Sequence, residues 1–329
     1  MKAKAIVFRK ANCPALEEIG LPELGKGEAL VKIHYSGVSI GTESSLFTGA
    51  RTNNGTFPMV TGYMASGVVE AVADDVINLK PGDRVVNMGT RFTGKINSIW
   101  GGHCSHHVAS VSGLVPVPKG TDMKDASLFI LPCVGLNAIG MANITEHDIV
   151  LIVGQGLIGQ FAGQWAAARG ARVIAVEPDP IRKALSMAYV TKDVIDPKDC
   201  DAEKEIERLT GGQWPTVVVE ATANKNLIGN TSRFIRRMHA RMIFLSWYPG
   251  EITLDYSHFH NWEAMSFFPM GCGNQETARA VLDGIARGVI KIGRNITHVY
   301  EYDEACEGFS KICNNDRSIV GMVVDWRNS

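Results

Sequence analysis

The chain has 329 residues, 45% of them hydrophobic, with 33 Lys and Arg against 34 Asp and Glu for a formal net charge of -1. That length suggests two domains with room for real cores, and the balanced charge leaves no electrostatic footprint for nucleic acid or an anionic membrane. No stretch is as long as an apolar membrane span, the opening MKAKAIVFRK lacks the apolar centre of a signal peptide, and seven scattered cysteines contain no CxxC pair, so a soluble, cytoplasmic protein with reduced thiols is expected.

The first elements in the chain are β-rich. Short runs at 4–8, 16–19 and 29–34 are broken by Pro14, Pro22, Gly25 and Gly27, and further strands are expected at 66–72, 84–86 and 106–111. The triplet Pro81-Gly82-Asp83 makes a turn before one of them. Helical texture begins at 123–131.

From residue 150 the pattern changes to alternating strand and helix. Strands are expected at 150–153, 172–176, 194–195, 217–220 and 242–246, with helices between them, including 202–209 and 226–238, and a last long helix at 275–287. Such alternation builds a doubly wound parallel sheet, with ligands at the carboxyl ends of its strands. The tail at 296–326 returns to strands and short helices.

The stretch VLIVGQGLIGQ organises this half. Four aliphatic residues run into Gly154, Gly156, Leu157, Ile158 and Gly159, a GxGxxG where a buried strand should turn into a helix. Gly154 permits the turn, Gly156 removes a side chain that would hold a phosphate away, and Gly159 lets helix and sheet approach. The helix N-terminus then faces an anion with free amides and partial positive charge. Glu177, roughly 20 residues further on, is placed to accept hydrogen bonds from both hydroxyls of an adenosine ribose. That favours NAD over NADP, because a carboxylate there repels a 2′-phosphate. Pro178 follows it within the same cofactor-binding stretch, and Arg182 with Lys183 could meet a 2′-phosphate but is expected on a solvated helix face.

Together, EALVKIHYSGVSIGTE (28–43), PMVTGYMASGVVEAV (58–72), KPGDRVV (80–86), GGHCSHHV (101–108), LPCVGLNAIG (131–140), the glycine motif and VVVEATA (217–223) resemble the medium-chain dehydrogenase/reductase superfamily over nearly the whole length. The resemblance implies an α/β protein with a chaperonin-10-like (GroES-like) β-domain from residues 1–131 and 272–329, and a Rossmann domain inserted from 132–271. It places substrate in a cleft against the nicotinamide. It also implies cofactor contacts from Asn137, Ala221, Thr222, Ser246, Trp247 and Met270, and by analogy a homodimer or homotetramer.

Zinc members of this superfamily use a Cys two residues before a Thr/Ser-Asp pair, with further ligands from Gly-His-Glu. Here Ile40 precedes Thr42-Glu43, Gly62-Tyr63-Met64 replaces Gly-His-Glu, and Cys133 alone matches a ligand position. One thiolate cannot supply three zinc ligands, so no metal is expected. His103, Cys104, His106 and His107 cluster in sequence, but strand alternation sends neighbours to opposite faces. The expected catalytic groups are therefore Thr42 at the family's proton-relay position, Glu43 behind it, Tyr63 as a hydrogen-bonding partner of the reacting oxygen, and His103 as a substrate contact. An unperturbed phenol, with a pKa of about 10, is a weak base at neutral pH.

These expectations describe a zinc-independent, NAD-dependent dehydrogenase interconverting a secondary alcohol (a sugar, polyol or ring-bearing metabolite) and a ketone. SGVSIGTE, Gly-Tyr for Gly-His and the ending GMVVDW resemble the branch that includes hydroxyethyl-bacteriochlorophyllide dehydrogenases and related sugar dehydrogenases. The alternatives are an enone or quinone reductase of the same superfamily, whose members usually prefer NADPH, and a non-enzymatic dinucleotide sensor.

Overall fold

The computed structural model describes residues 1–51 and 57–329. Its first strands are β1 (Lys2–Phe8), β2 (Pro14–Gly20) and β3 (Glu28–Val38), followed by helix α1 (Ile40–Phe47). Strands β4 (Met59–Val60), β5 (Ala65–Val72), β6 (Arg84–Asn87), β7 (Asn97–Ser98), β8 (His106–Ser110) and β9 (Val115–Pro116) come next, then α2 (Met123–Ala126) and α3 (Ile130–Met141). The alternating region holds β10 (Ile149–Val153), α4 (Leu157–Ala168), β11 (Arg172–Val176), α5 (Pro180–Tyr189), β12 (Val194–Ile195), α6 (Ala202–Thr210), β13 (Val217–Glu220), α7 (Ile228–Ser232), β14 (Arg241–Phe244), α8 (Tyr256–Asn261) and β15 (Met265–Phe267). The chain ends with α9 (Gln275–Ala286), β16 (His298–Glu301), α10 (Ala305–Cys313) and β17 (Met322–Asp325).

The chain divides into two units, one of Met1–Ile130, Ala278–Arg287 and Ile292–Ser329, the other of Leu131–Thr277 and Gly288–Lys291. The return crossing thus falls inside α9 rather than at residue 272, and residues 288–291 cross once more.

In the first unit, a sheet ordered β2-β1-β4-β7 accompanies one ordered β16-β17-β3-β5-β6-β9, with β8 also paired to β3. Strand β3 anchors the unit because alternate residues Ala29, Val31 and Ile33 are fully buried, the signature of a sheet with one face on a core. Phe8 stacks on Phe47 at 4.8 Å between ring centroids, and Phe309 meets both edge-on, which locks α1 and α10 to β1. Pairing of β17 with β3 sets Val324 opposite Ser36 and brings the C-terminal Trp326 beside the site described below.

The second unit is a six-stranded parallel sheet ordered β12-β11-β10-β13-β14-β15. The central strands β10, β11, β13 and β14 are buried on both faces, whereas the edge strand β15 is largely exposed. Val150 and Ile152 of β10 join one core with Ala162 and Ala166 of α4, while Leu151 and Val153 join the opposite core with Ile206 of α6. Strand order reverses between β10 and β13, so the topological switch point lies at the ends of those two strands.

One helical expectation fails. A single helix over 226–238 is instead a 3₁₀ turn at Lys225–Leu227 and the five-residue α7. Gly229, Asn230, Thr231 and Ser232 are poor helix formers, and the Ser232 hydroxyl bonds back to the Gly229 carbonyl at 2.9 Å. Phe234 and Ile235 then turn inward to the core. The helical texture expected from 123–131 is realised as α2 and the start of α3.

Candidate active site

In the second unit the glycine motif builds a tight strand-to-helix turn. Gly154 has φ of +96°, and a Cβ there would lie 2.8 Å from the Ala221 carbonyl oxygen. A Cβ on Gly159 would come within 2.1 Å of the Gly154 carbonyl oxygen, so α4 can start this close to the loop only with glycine there. A Cβ on Gly156 would meet nothing within 4 Å. Gly156 is the N-cap of the twelve-residue α4 and caps it with no side chain, leaving the first-turn amides facing outward for an anion.

Glu177, at the end of β11, is 4% exposed. Its Oε2 accepts the Gln155 N–H at 2.7 Å and its Oε1 the Asp179 N–H at 2.9 Å. A carboxylate has about four acceptor positions, so two bonds to the protein leave capacity for a pair of ribose hydroxyls. Asp179 in turn caps α5 through the Ile181 and Arg182 amides, directly after Pro178. Arg182 is not on a fully solvated face as expected: it is half-buried with its Nε shielded, and its carbonyl accepts from Gln160 Nε2 at 3.2 Å. Lys183 is taken up by Asp196 and Asp199 at 3.3 and 3.6 Å.

The carboxyl ends of β13 and β14 are joined to each other. Ser246 Oγ accepts the Ala223 N–H at 3.1 Å, while Glu220 Oε1 takes both the Thr222 N–H, at 3.0 Å, and the Thr222 hydroxyl. Glu220 is fully buried, which pushes its carboxyl above the usual range despite those bonds. The sequence reading named Ala221, Thr222, Ser246 and Trp247 here but not Glu220 or Gln155. Ser246 and Trp247 lie just past β14, which ends earlier than expected at Phe244. Trp247 and Met270 are exposed, and Asn137 Nδ2 reaches the Gly271 carbonyl at 3.5 Å.

The first unit holds a chain of buried polar groups. Glu43 of α1 is fully buried: its Oε1 accepts the Ser39 N–H at 2.8 Å, and its Oε2 accepts the Thr61 hydroxyl at 2.8 Å and His103 Nε2 at 2.7 Å. Glu43 thereby satisfies an amide at the start of α1, where the Ser39 side chain makes no cap. The Ser39 hydroxyl instead accepts the Tyr63 phenol, whose oxygen also lies 3.5 Å from Thr42 Oγ1. Tyr63 and Thr42 are half-buried, and Tyr63 meets the edge of Trp100 at 5.0 Å.

His103 does not reach a surface and is corrected from substrate contact to interior group. It is fully buried, with Phe309 edge-on at 5.0 Å. Glu43 is likewise enclosed, leaving Tyr63 and Thr42 as the members of the expected catalytic set with accessible atoms. The side chain that meets Tyr63 is that of Ser39, one position before Ile40. Nothing local marks Ser39, Ser36, Thr61 or Trp326 as members of the group.

The histidine run separates as strand alternation requires. His107 is buried against Asn87 and the Gly102 carbonyl, and burial pushes it down to about 3. His106 lies on the other side with Ser105 and Glu70, and the buried Cys104 thiol is pushed up to about 12. Among the described residues, no three His, Cys, Asp or Glu side chains are grouped to hold a metal ion. Burial also raises the Cys133 thiol.

Among known proteins, the Alcohol dehydrogenase GroES-like domain family matches residues 25–119 and the Zinc-binding dehydrogenase family matches residues 158–287. Escherichia coli L-galactonate-5-dehydrogenase is 25% identical, with 94% of each chain covered. The 2-desacetyl-2-hydroxyethyl bacteriochlorophyllide A dehydrogenase of Rhodobacter capsulatus is 23% identical over 100% of both chains. In fold, the chain superposes on galactitol-1-phosphate dehydrogenase from Escherichia coli with a TM-score of 0.86, at 19% identity and coverage of 98% and 99%. No helix among the described residues is long and apolar enough to cross a membrane. A GroES-like domain interrupted by a Rossmann domain, with matches along both, makes the chain a member of the alcohol-dehydrogenase-like medium-chain dehydrogenase/reductase superfamily of oxidoreductases.

Proposed function

We propose that this chain is a zinc-independent, NAD-dependent dehydrogenase that interconverts a secondary alcohol and a ketone. The observation that carries the reading is the meeting of the Tyr63 and Ser39 hydroxyls. In zinc members these two motifs each bring a metal ligand, whereas here they bring neutral hydroxyls bonded to each other. Such a pair is a poor donor set for zinc, which takes thiolate, imidazole or carboxylate, and the zinc named in one matching family has no fitting ligand group among the described residues.

The residues that would hold the dinucleotide are the amides at the start of α4, Gly156 beneath the diphosphate, and Glu177 at the adenosine ribose. A 2′-phosphate would add negative charge beside a buried carboxylate, which supports NAD over NADP. Bound there, the nicotinamide supplies the acceptor and donor of hydride. Tyr63 donates its O–H to Ser39 and its oxygen lies 3.5 Å from Thr42 Oγ1, which supports this group of hydroxyls as the one that handles the proton of a substrate hydroxyl. The named relatives act on a hexonate and on a hydroxyethyl group of a pigment precursor, which supports a secondary carbinol as the reacting centre.

The test is a screen of sugar acids, polyols and aryl secondary alcohols with NAD and NADP, against conjugated enones with NADH and NADPH. Oxidation of secondary alcohols with NAD, undiminished by a chelator, is expected. Turnover confined to enones, or activity that follows added zinc, would overturn the reading.

A further inference from the structure

The Glu43 group extends to the opposite end of the sequence. Trp326, fully buried at the C-terminal end, donates its indole N–H to Ser36 Oγ at 2.8 Å across 290 residues. Ser36 Oγ lies 2.9 Å from His103 Nδ1, and His103 Nε2 lies 2.7 Å from Glu43. Indole can only donate and a carboxylate can only accept. For a neutral ring those two ends set the direction of the bonds between them: His103 presents Nε2–H to Glu43, its Nδ1 accepts, and Ser36, already accepting from Trp326, supplies its own O–H to that nitrogen.

The chain of bonds ends on Tyr63 from two sides. Glu43 holds the Ser39 amide, and Ser39 holds the phenol. The His103 ring also lies against Gly62, where a Cβ would sit 2.8 Å from Cδ2 and Nε2, and Gly62 has φ of +96°. The backbone around Tyr63 is clamped to the segment that carries His103, by the Gly102 N–H on the Gly62 carbonyl at 2.8 Å and the His103 N–H on the Thr61 carbonyl at 3.1 Å.

We propose that Trp326 and Ser36 are positioning residues, whose hydrogen bonds, passed through His103 and Glu43, hold Ser39 and the Tyr63 phenol in the single orientation that the reacting oxygen requires. The inference rests on the alcohol dehydrogenase reading for its catalytic consequence, but the orientation of Tyr63 does not. A polar chain buried in this way acts as a unit, because each donor aligned at one end removes an alternative arrangement at the other.

The experiment uses the full chain labelled with 3-fluorotyrosine, with the Tyr63 ¹⁹F resonance assigned by its loss in Tyr63→Phe. Ser36→Ala and Trp326→Phe, the latter keeping most of the ring packing, are expected to shift or broaden that resonance, and Ser36→Thr to restore it. In turnover, both variants are expected to lower kcat about tenfold with KM for NAD unchanged, the pattern of a misplaced group rather than a lost binding site. Combining either variant with Tyr63→Phe is expected to add little further loss. A Tyr63 resonance identical in wild type and both variants would overturn the proposal, and so would kcat losses that add independently to that of Tyr63→Phe. If the wild type oxidises no alcohol, the functional reading fails while the ¹⁹F comparison still decides the positioning role.

Discussion

The Gln155 amide donates to Glu177 Oε2 at 2.7 Å, so the acid at the end of β11 and the glycine-rich loop after β10 are one hydrogen-bonded piece. Glu177 therefore ties that loop in place as well as being the proposed ribose acceptor, and removing it should disturb both. Replacing Glu177 by Ala is expected to weaken NADH binding by roughly 10- to 100-fold, the scale of lost hydrogen bonds to a charged group. It should also narrow any preference over NADPH. Nicotinamide fluorescence titrations of wild type and variant measure both, and an unaltered ratio of the two affinities would count against the ribose assignment.

Gly156 and Gly159 should respond differently to the same added methyl. Gly159→Ala drives a Cβ into the Gly154 carbonyl at 2.1 Å and is expected to lower the melting temperature by several degrees. Gly156→Ala meets open space and is expected to leave the melting temperature unchanged while weakening NADH binding at least about tenfold, because the methyl stands where a phosphate approaches. Calorimetry and titration on the two variants separate these effects. Equal binding by Gly156→Ala and wild type would show that the diphosphate lies elsewhere.

Tyr63→Phe removes the phenol while keeping the ring against Trp100. It is expected to lower kcat by about 100-fold, within the range of general acid–base groups, with the affinity for NADH retained. Prolonged dialysis of the wild type against a strong chelator is expected to leave kcat unchanged. Loss of activity on dialysis, regained with zinc, would remove the basis for Tyr63 as the oxygen-side partner.

His107 makes stability fall on acidification. Burial pushes it from an ordinary value of 6.5 down to about 3 in the folded chain. Between those values the unfolded chain binds a proton that the folded one does not. Its contribution is thus complete above about pH 6.5 and declines as pH falls towards 3, by up to about 1.4 kcal/mol per pH unit. His107→Gln is expected to flatten that decline, read from urea midpoints between about pH 4.5 and 7.5. Parallel slopes in the two proteins would mean that other groups account for the acid sensitivity.

Much of the Rossmann half was open to inspection in the one-dimensional chain. Runs such as residues 150–153, 173–176 and 217–219 are continuous apolar stretches because parallel strands are buried on both faces. The glycines and Glu177 stand at the spacings that a diphosphate and a ribose would require under the proposed function. Those constraints act over a few tens of residues and so leave a local record. Helix α7 escaped because tertiary burial of Phe234 and Ile235 outweighed a helical-looking pattern.

The polar interior of the β-domain was decided by tertiary structure alone. Glu43, Tyr63 and His103 were visible as reactive residue types, yet which of them is enclosed and which is open depends on β3, α1 and the 101–108 segment meeting in space. Ser36 and Trp326 are 290 positions apart and become partners only because β17 pairs with β3. A hydrogen bond between side chains so far apart leaves no periodicity or spacing in the sequence, since strand register, not chain proximity, brings its donor and acceptor together.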